Sequence, residues 1–287
     1  MKVRKAVIAA AGWGTRFLPI SKSVPKELLP LVDKPIIQYA VEEVAACGIK
    51  SVVMVTTQGK TALEDYFDKN QMLEHILEQR GKNDLLEKIR HLPDLADICF
   101  VRQKEQLGLG DAVLSARTVV GDEPFALILP DDLFEQKELV LQKMLDIFEK
   151  YQSSVIALRR VNKDEIGRYG VIKPKKLSED VYQVMDLVEK PKQAEAPSDL
   201  AVMGRYVLSP EIFGELGCTS LGVGGEIQLT DALKRLLRKQ AIYGYEIQGD
   251  YYDAGTIPGW LQATMALALK HPEIGPELRS YLHRLLQ

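Results

Sequence analysis

The run VRKAVIAAAGWGTRFLPISKSVPKELLPLVDKPIIQYAVEEVAACG, residues 3–48, decides the fold. Residues 3–10 are short, mostly apolar and end at Gly12 and Gly14, which is how a strand buried on both faces reads. Lys34-Pro35-Ile36-Ile37 then opens a helical pattern, with proline where a first turn tolerates it, and Gly48 closes it. The order is strand, long loop, helix. Working outward, residues 51–56 (SVVMVT), 98–103 (ICFVRQ) and 125–129 (FALIL) are short β-branched or apolar runs separated by helical stretches. Strands alternating with helices predict crossover units in a doubly wound, mainly parallel sheet, with ligands beyond the carboxyl ends of its strands.

Residues 63–92 are charged, with apolar residues at helix spacing, and predict two amphipathic helices broken at Gly81. After Tyr151 the character shifts toward β: residues 154–161, 171–173, 181–189 and 202–208 are consecutive strand candidates. Residues 226–239 return to helix, 242–252 to strand, and 258–269 and 272–286 to helices. No linker, low-complexity tract or repeat divides the chain. It therefore reads as one elaborated domain over residues 1–287, the 1–150 half feeding one part of the site and the 151–287 half the other.

Composition excludes several classes. The 287 residues are 46% hydrophobic and 27% charged, and 37 basic against 40 acidic residues leave a net charge of −3. No strong field exists for nucleic acid or an anionic membrane, so an anionic ligand must be bound locally. The apolar runs fall far short of the roughly 20 residues of a membrane helix, and the run after the basic start is cut by Gly12 and Arg16, too early for a signal peptide. Cys47, Cys99 and Cys218 lie far apart without C-x-x-C spacing, which predicts neither a disulfide framework nor a zinc site and makes a reducing cytoplasm the default. His75, His91, His271 and His283 form no H-E-x-x-H motif or triad.

The loop AAGWGTRFLP follows the first strand directly. Glycines there let backbone N–H groups approach a phosphate chain with no Cβ in the way. A dinucleotide fingerprint needs a third glycine where Phe17 stands, and a P-loop needs Gly-Lys-Ser/Thr after four intervening residues, so neither motif is met. The loop is a different phosphate cradle or a plain turn. Arg16, Lys22 and Lys26 share the stretch with Pro19, Pro25 and Pro30, a loop longer than a connector needs. Arg16 can fork onto phosphate oxygens and Lys26 offers a point charge at a rigid bend, whereas Lys22 reads better as an exposed surface residue.

Other candidates stand at strand ends. Asp131 follows FALIL, and Asp253 follows a strand in YYDAG. Two such carboxylates, with phosphate oxygens and water, suit Mg²⁺. Asp132 reads as a supporting or capping carboxylate. Gln103 carries one donor and one acceptor, yet is equally a strand-end surface residue; Gly108 is equally a helix N-cap. Glu189-Lys190 sets an acceptor beside a cation at a strand end, and such a pair is ordinarily just solvated charge.

The stretch from Ala10 to Glu43, followed in order by ALEDYFDKN, RQKEQLGLGDAV, LPDD, YGVIKP, LVEKP, MGRYVLSPEIF and GGEIQLTDAL, resembles the sugar-phosphate nucleotidylyltransferases, and within them the bacterial UTP:glucose-1-phosphate uridylyltransferases. The match covers nearly the whole chain. It implies a Rossmann-like, doubly wound α/β fold with a mixed, mainly parallel sheet, a β-rich sugar-binding elaboration and C-terminal helices. It also implies transfer of UMP from UTP to glucose 1-phosphate, with Mg²⁺ as cofactor, by direct attack of the sugar phosphate on the α-phosphorus. Residue by residue, it assigns Ala11, Gly12, Gly14, Thr15 and Arg16 to the triphosphate, Lys26 to the transferred phosphate, Gln103 and Gly108 to the base, with Asp132 beside the nucleotide. Asp131 and Asp253 would hold the metal. Gly170, Glu189, Lys190 and Gly204 would bind the sugar phosphate, with Arg205 and Glu226 as weaker candidates there; Glu226 could instead simply begin its helix. Asp111 stands where this branch commonly carries histidine, and Ala254, Thr256 and Ile257-Pro258 depart from the pattern around Asp253. A homodimer or homotetramer is implied, and no nucleic-acid or membrane partner. A thymidylyltransferase is the nearest rival, because thymine presents the same pairing edge; a regulatory homologue without turnover is the rival from another class.

Overall fold

The computed structural model describes residues 2–286. Its strands are β1 (Lys5–Ala9), β2 (Pro30–Leu31), β3 (Lys34–Pro35), β4 (Ser51–Thr56), β5 (Asp97–Arg102), β6 (Phe125–Ile128), β7 (Asp132–Glu135), β8 (Val155–Arg160), β9 (Gly170–Lys176), β10 (Val181–Glu189), β11 (Leu200–Leu208), β12 (Ile242–Glu246) and β13 (Asp250–Asp253). Nine of them form one sheet in the order β5-β4-β1-β6-β11-β8-β12-β10-β9, and the pairs β2–β3 and β7–β13 stand apart.

The buried strands divide their side chains between two cores with period two. Ala6 and Ile8 of β1 and Val52 and Met54 of β4 point to one face, while Val7, Val53 and Val55 point to the other. On the first face lie helices Ile36–Ala46 and Val140–Tyr151, through Ile37, Val41, Val44, Leu141, Met144 and Phe148. On the second lie Leu109–Ser115, Ile212–Gly217 and Leu229–Leu236, through Val113, Phe213, Leu216 and Leu233. The fold is α/β, with helices covering both sides of a mixed sheet.

Two expectations need correction. The sheet is not mainly parallel: β5, β4, β1 and β6 run parallel, as do β8 and β12, but β11 is antiparallel to β6 and β8, and β10 to β12 and β9. Parallel neighbours require long crossovers, and β9 and β10 are joined only by the short turn at residues 177–180, which permits antiparallel pairing, while the other antiparallel pairs of this sheet join strands that are not consecutive in the chain. Ala201 opposite Val171 joins β9 to β11 as well, so β11, β8, β12, β10 and β9 close a ring. Second, residues 242–252 are not one strand. They divide at Gly249 (φ 120°) into β12 of the main sheet and β13, which pairs with β7.

Other boundaries shift for local reasons. Lys34–Pro35 forms a short strand before the helix, residues 63–92 carry three helices and not two, Ala62–Phe67, Gln71–Gln79 and Asn83–Arg90, with a break after Phe67 besides the one around Gly81 (φ 65°), and the helix expected from Glu226 begins at Leu229. A third, smaller core of Phe17, Leu29, Leu31, Ile36, Leu133, Ala254 and Ala263 ties the glycine loop to β7, β13 and the helix Ile257–Lys270. There Trp260 meets Phe17 edge to face and donates to the Pro30 carbonyl at 3.1 Å.

Candidate active site

At the carboxyl end of β1 opens a cavity of about 400 Å³, lined by Ala11, Gly12, Gly14, Thr15, Lys26, Gln103, Gly108, Asp131 and Glu226 among others. Gly14 turns the chain with φ 64°, a left-handed value that favours glycine, into a short 3-10 turn at Thr15–Phe17. The loop is anchored by a buried ion pair. Lys60 Nζ donates to the Ala10 carbonyl at 2.6 Å and to both Glu27 carboxylate oxygens at 2.9 and 2.7 Å. Burial pushes the Glu27 carboxyl up and the Lys60 ammonium down, with their mutual attraction opposing both shifts. No spacing rule connects residues 27 and 60, so the sequence alone does not reveal this pair.

Lys26, next to Glu27 in the chain, pairs with Asp131 from the loop after β6. Burial is the largest single influence and opposes both charges, but the other influences together outweigh it: Asp131 and Glu27 hold the Lys26 ammonium above its ordinary value, and Lys26, hydrogen bonds and Arg16 hold Asp131 below its own. Asp253 arrives through β13, where it sits opposite Asp132 of β7. A Cβ built on Gly255 would fall 2.4 Å from Asp131 Oδ2 and 3.0 Å from Asp253 Oδ1, so the two carboxylates converge on one point that a side chain would fill. Asp253 is pushed up by burial and by Asp131. Its Oδ2 accepts from Arg168 Nη2 at 3.1 Å. Among the described residues no group of three metal-ligating side chains forms. Two convergent carboxylates open to a cavity nonetheless fit Mg²⁺, which keeps water and takes substrate phosphate oxygens.

Asp131 and Glu226 also line a second cavity, of about 320 Å³, with Arg16, Asp132, Gly170, Glu189, Lys190, Gly204 and Asp253. Lys190, at the end of β10, has φ 44°, and its backbone N–H donates to Tyr169 at 3.0 Å. Its Nζ lies 3.6 Å from Glu189 Oε1. A non-glycine residue in the left-handed region carries strain of roughly 1–3 kcal/mol, which concentrates at functional positions. Asp132 accepts from Gly204 N–H at 2.6 Å and from Tyr251 Oη at 2.8 Å. Burial, then the Asp131 charge, pushes its carboxyl up to about 6.

Three placements differ from expectation. Asp132 lines the second cavity and not the first, because β7 turns it toward Gly204 and β13. Arg16 is exposed and likewise borders the second cavity. Arg205 is outside both. On β11 it alternates with Gly204 to the other face, where it is buried, donates to Glu43 at 2.8 and 3.0 Å and to the Leu129 carbonyl at 2.8 Å, and lies over Phe134. It ties the first helix to the end of β6, just before Asp131. Glu226 precedes its helix and packs against Gly108, whose φ of 91° and absent Cβ leave room for it. Tyr251, Arg168, Glu43, Glu27 and Lys60 were not anticipated.

Residues 5–270 match the family model described as nucleotidyl transferase. The UTP–glucose-1-phosphate uridylyltransferase of Staphylococcus epidermidis is 48% identical over 284 residues, covering 99% of both chains. A crystal structure of a UDP-glucose pyrophosphorylase complexed with UDP-glucose superimposes with TM-score 0.86 at 43% identity, covering 94% of this chain and 100% of that one. A UTP-bound enzyme of the same kind from Acinetobacter baumannii gives TM-score 0.90 at 38% identity, covering 99% of each. A glycine-loop cavity and a β-rich cavity meeting at one aspartate, with these relatives along the full length, lead to one conclusion: the chain belongs to the nucleotidyl transferase family of enzymes and falls among its UTP–glucose-1-phosphate uridylyltransferases.

Proposed function

We propose that the chain transfers UMP from UTP to glucose 1-phosphate, giving UDP-glucose and pyrophosphate, by in-line attack with Mg²⁺ as cofactor. The observation that carries this reading is the shared wall: Asp131, bound to Lys26, borders both cavities, so a nucleotide in one and a sugar phosphate in the other would meet there. In the reaction a phosphate oxygen of the sugar bonds to the α-phosphorus while the bond to the bridging oxygen breaks and pyrophosphate leaves. Lys26 sits where negative charge would build on the non-bridging oxygens, which is the interaction that accelerates such a transfer. Gly12, Gly14 and Thr15 offer the loop around the triphosphate, and Gln103 with Gly108 the base pocket. Glu189, Gly170 and Gly204 would hold the sugar, and Lys190, with Arg16 nearby, its phosphate. Asp131 and Asp253 would hold Mg²⁺, which when bound neutralises phosphate charge and helps align the triphosphate.

In this reading the single domain divides by substrate, residues 1–150 serving mainly the nucleotide and 151–287 the sugar phosphate, and the parallel half is the Rossmann-like core. The free thiols Cys47, Cys99 and Cys218 fit a reducing cytoplasm. Ile257, Leu261, Tyr281 and Leu285, exposed on the C-terminal helices, fit a homodimer or homotetramer. No helix among the described residues is long and apolar enough to cross a membrane. The test is pyrophosphate release by purified protein, expected with UTP, glucose 1-phosphate and Mg²⁺ together and lost when any one is omitted. Turnover with UTP and glucose 1-phosphate indistinguishable from a no-enzyme control would overturn it.

A further inference from the structure

We infer that Asp111 is a positioning residue that sets the base preference of the nucleotide-side cavity, by locking the Gln103 amide with its carbonyl oxygen left for the ligand. This rests on the nucleotide reading above. Gln103 follows β5, is 4% exposed and lines the cavity. Its Nε2 donates to Asp111 Oδ2 at 2.8 Å and to the Gly108 carbonyl at 3.1 Å. A primary amide has two N–H bonds, and here both end on oxygens that only accept. Turning the amide over would set Oε1 against two acceptors and forfeit both bonds. The orientation is therefore fixed by chemistry, and Oε1 is the atom that remains to read a base.

That atom discriminates. Uracil and thymine present N3–H, a donor that Oε1 accepts; cytosine presents an unprotonated N3, acceptor against acceptor. Without an acceptor at 111, Gly108 alone would hold the amide, and Gln103 could turn to suit either edge. Asp111 is well placed to hold still: it lies in the first turn of helix Leu109–Ser115, where a negative charge is favoured, and its carbonyl accepts from Ser115 Oγ at 2.9 Å.

The experiment measures equilibrium binding of UTP, CTP and dTTP to the full-length protein by calorimetry, for the wild type and for Asp111→Ala, Asp111→Ser and Asp111→Asn, with thermal melts to confirm folding. Alanine removes the acceptor and serine is too short to reach Gln103 while keeping a polar first-turn residue. In either variant the UTP-to-CTP affinity ratio should fall about tenfold, with dTTP following UTP and the kinetic change falling on the UTP KM more than on kcat. Asp111→Asn should lower the ratio less than alanine or serine, because its Oδ1 accepts the same bond while its own N–H₂ lets the Gln103 amide turn over with Gly108 alone opposing it. A folded alanine or serine variant with an unchanged ratio, or a wild type that binds UTP and CTP alike, would overturn the assignment. Failure of the proposed reaction is distinguishable: it would appear as absent pyrophosphate release with the wild-type UTP-to-CTP preference intact.

Discussion

On the glycine-loop side of the site the charged groups are held in close pairs, Glu27 with Lys60 buried at 1% and 9% side-chain exposure and Lys26 with Asp131 half-buried, whereas on the other side Lys190 and Arg168 stand 41% and 50% exposed. The first arrangement is fixed by the fold before any ligand arrives. The second leaves cations in contact with water, able to exchange a weak neighbouring carboxylate for a phosphate. Buried pairs cost several kcal/mol to disrupt, exposed ones about 1 kcal/mol or less. Substitutions on the two sides should therefore fail differently: one in turnover and folding, the other in acceptor affinity.

The sharpest break comes at Asp131. Asp131→Asn should lower turnover by at least about a hundredfold, since an amide is a poor ligand for a hard cation and no longer balances Lys26. A magnesium titration should recover part of the rate, and circular dichroism should show the fold retained. Normal activity with normal magnesium dependence would remove Asp131 from the centre. Glu27→Ala comes next. It strands Lys60 beneath the glycine loop, and chemical denaturation should show a loss of about 3–5 kcal/mol together with a raised KM for UTP. If stability is untouched, the buried pair is not what holds the loop.

Lys190→Ala sharpens the contrast from the other side. On the proposed assignment of this exposed lysine to the acceptor's phosphate, the KM for glucose 1-phosphate should rise roughly tenfold or more, with the KM for UTP and the melting temperature nearly unchanged. Equal effects on both substrates would move Lys190 out of the second cavity's role.

The smallest effect concerns pH. Asp132 has a folded-state value of about 6, above the ordinary 3.8, so the folded protein holds that proton more tightly than the unfolded chain. Its contribution to stability is complete below the unfolded value and is lost as pH rises through about 6. In metal-free protein, lowering the pH from 7 to 5.5 should thus add stability on the order of 1 kcal/mol from this group, and Asp132→Asn should flatten that part of the profile. Matching melting profiles for the two proteins would show that the carboxyl is not under that strain.

Elements whose signals are local were legible in the chain. The buried strand before AAGWGTRF, the alternation of strands and helices up to residue 128, the break at Gly81 and the polar residues stationed at strand ends follow from periodicity and from glycine and proline chemistry. A motif also placed Gly14, Lys26, Asp131, Glu189 and Lys190 along one chain in order, and the fold gathers all five around two adjoining cavities. Tertiary structure alone decided the rest. Gly249 splits what reads as one strand, and the β7–β13 pairing then sets Asp253 beside Asp131, a register no sequence interval of over a hundred residues encodes. Strand parity decided Arg205: beside Gly204 in sequence, it points through the sheet to Glu43, because neighbours on a strand face opposite ways. The Glu27–Lys60 pair and the Asp111 hold on Gln103 were likewise invisible, since a buried charge or amide is satisfied by whatever packing brings within hydrogen-bond reach, and packing is a property of the folded chain.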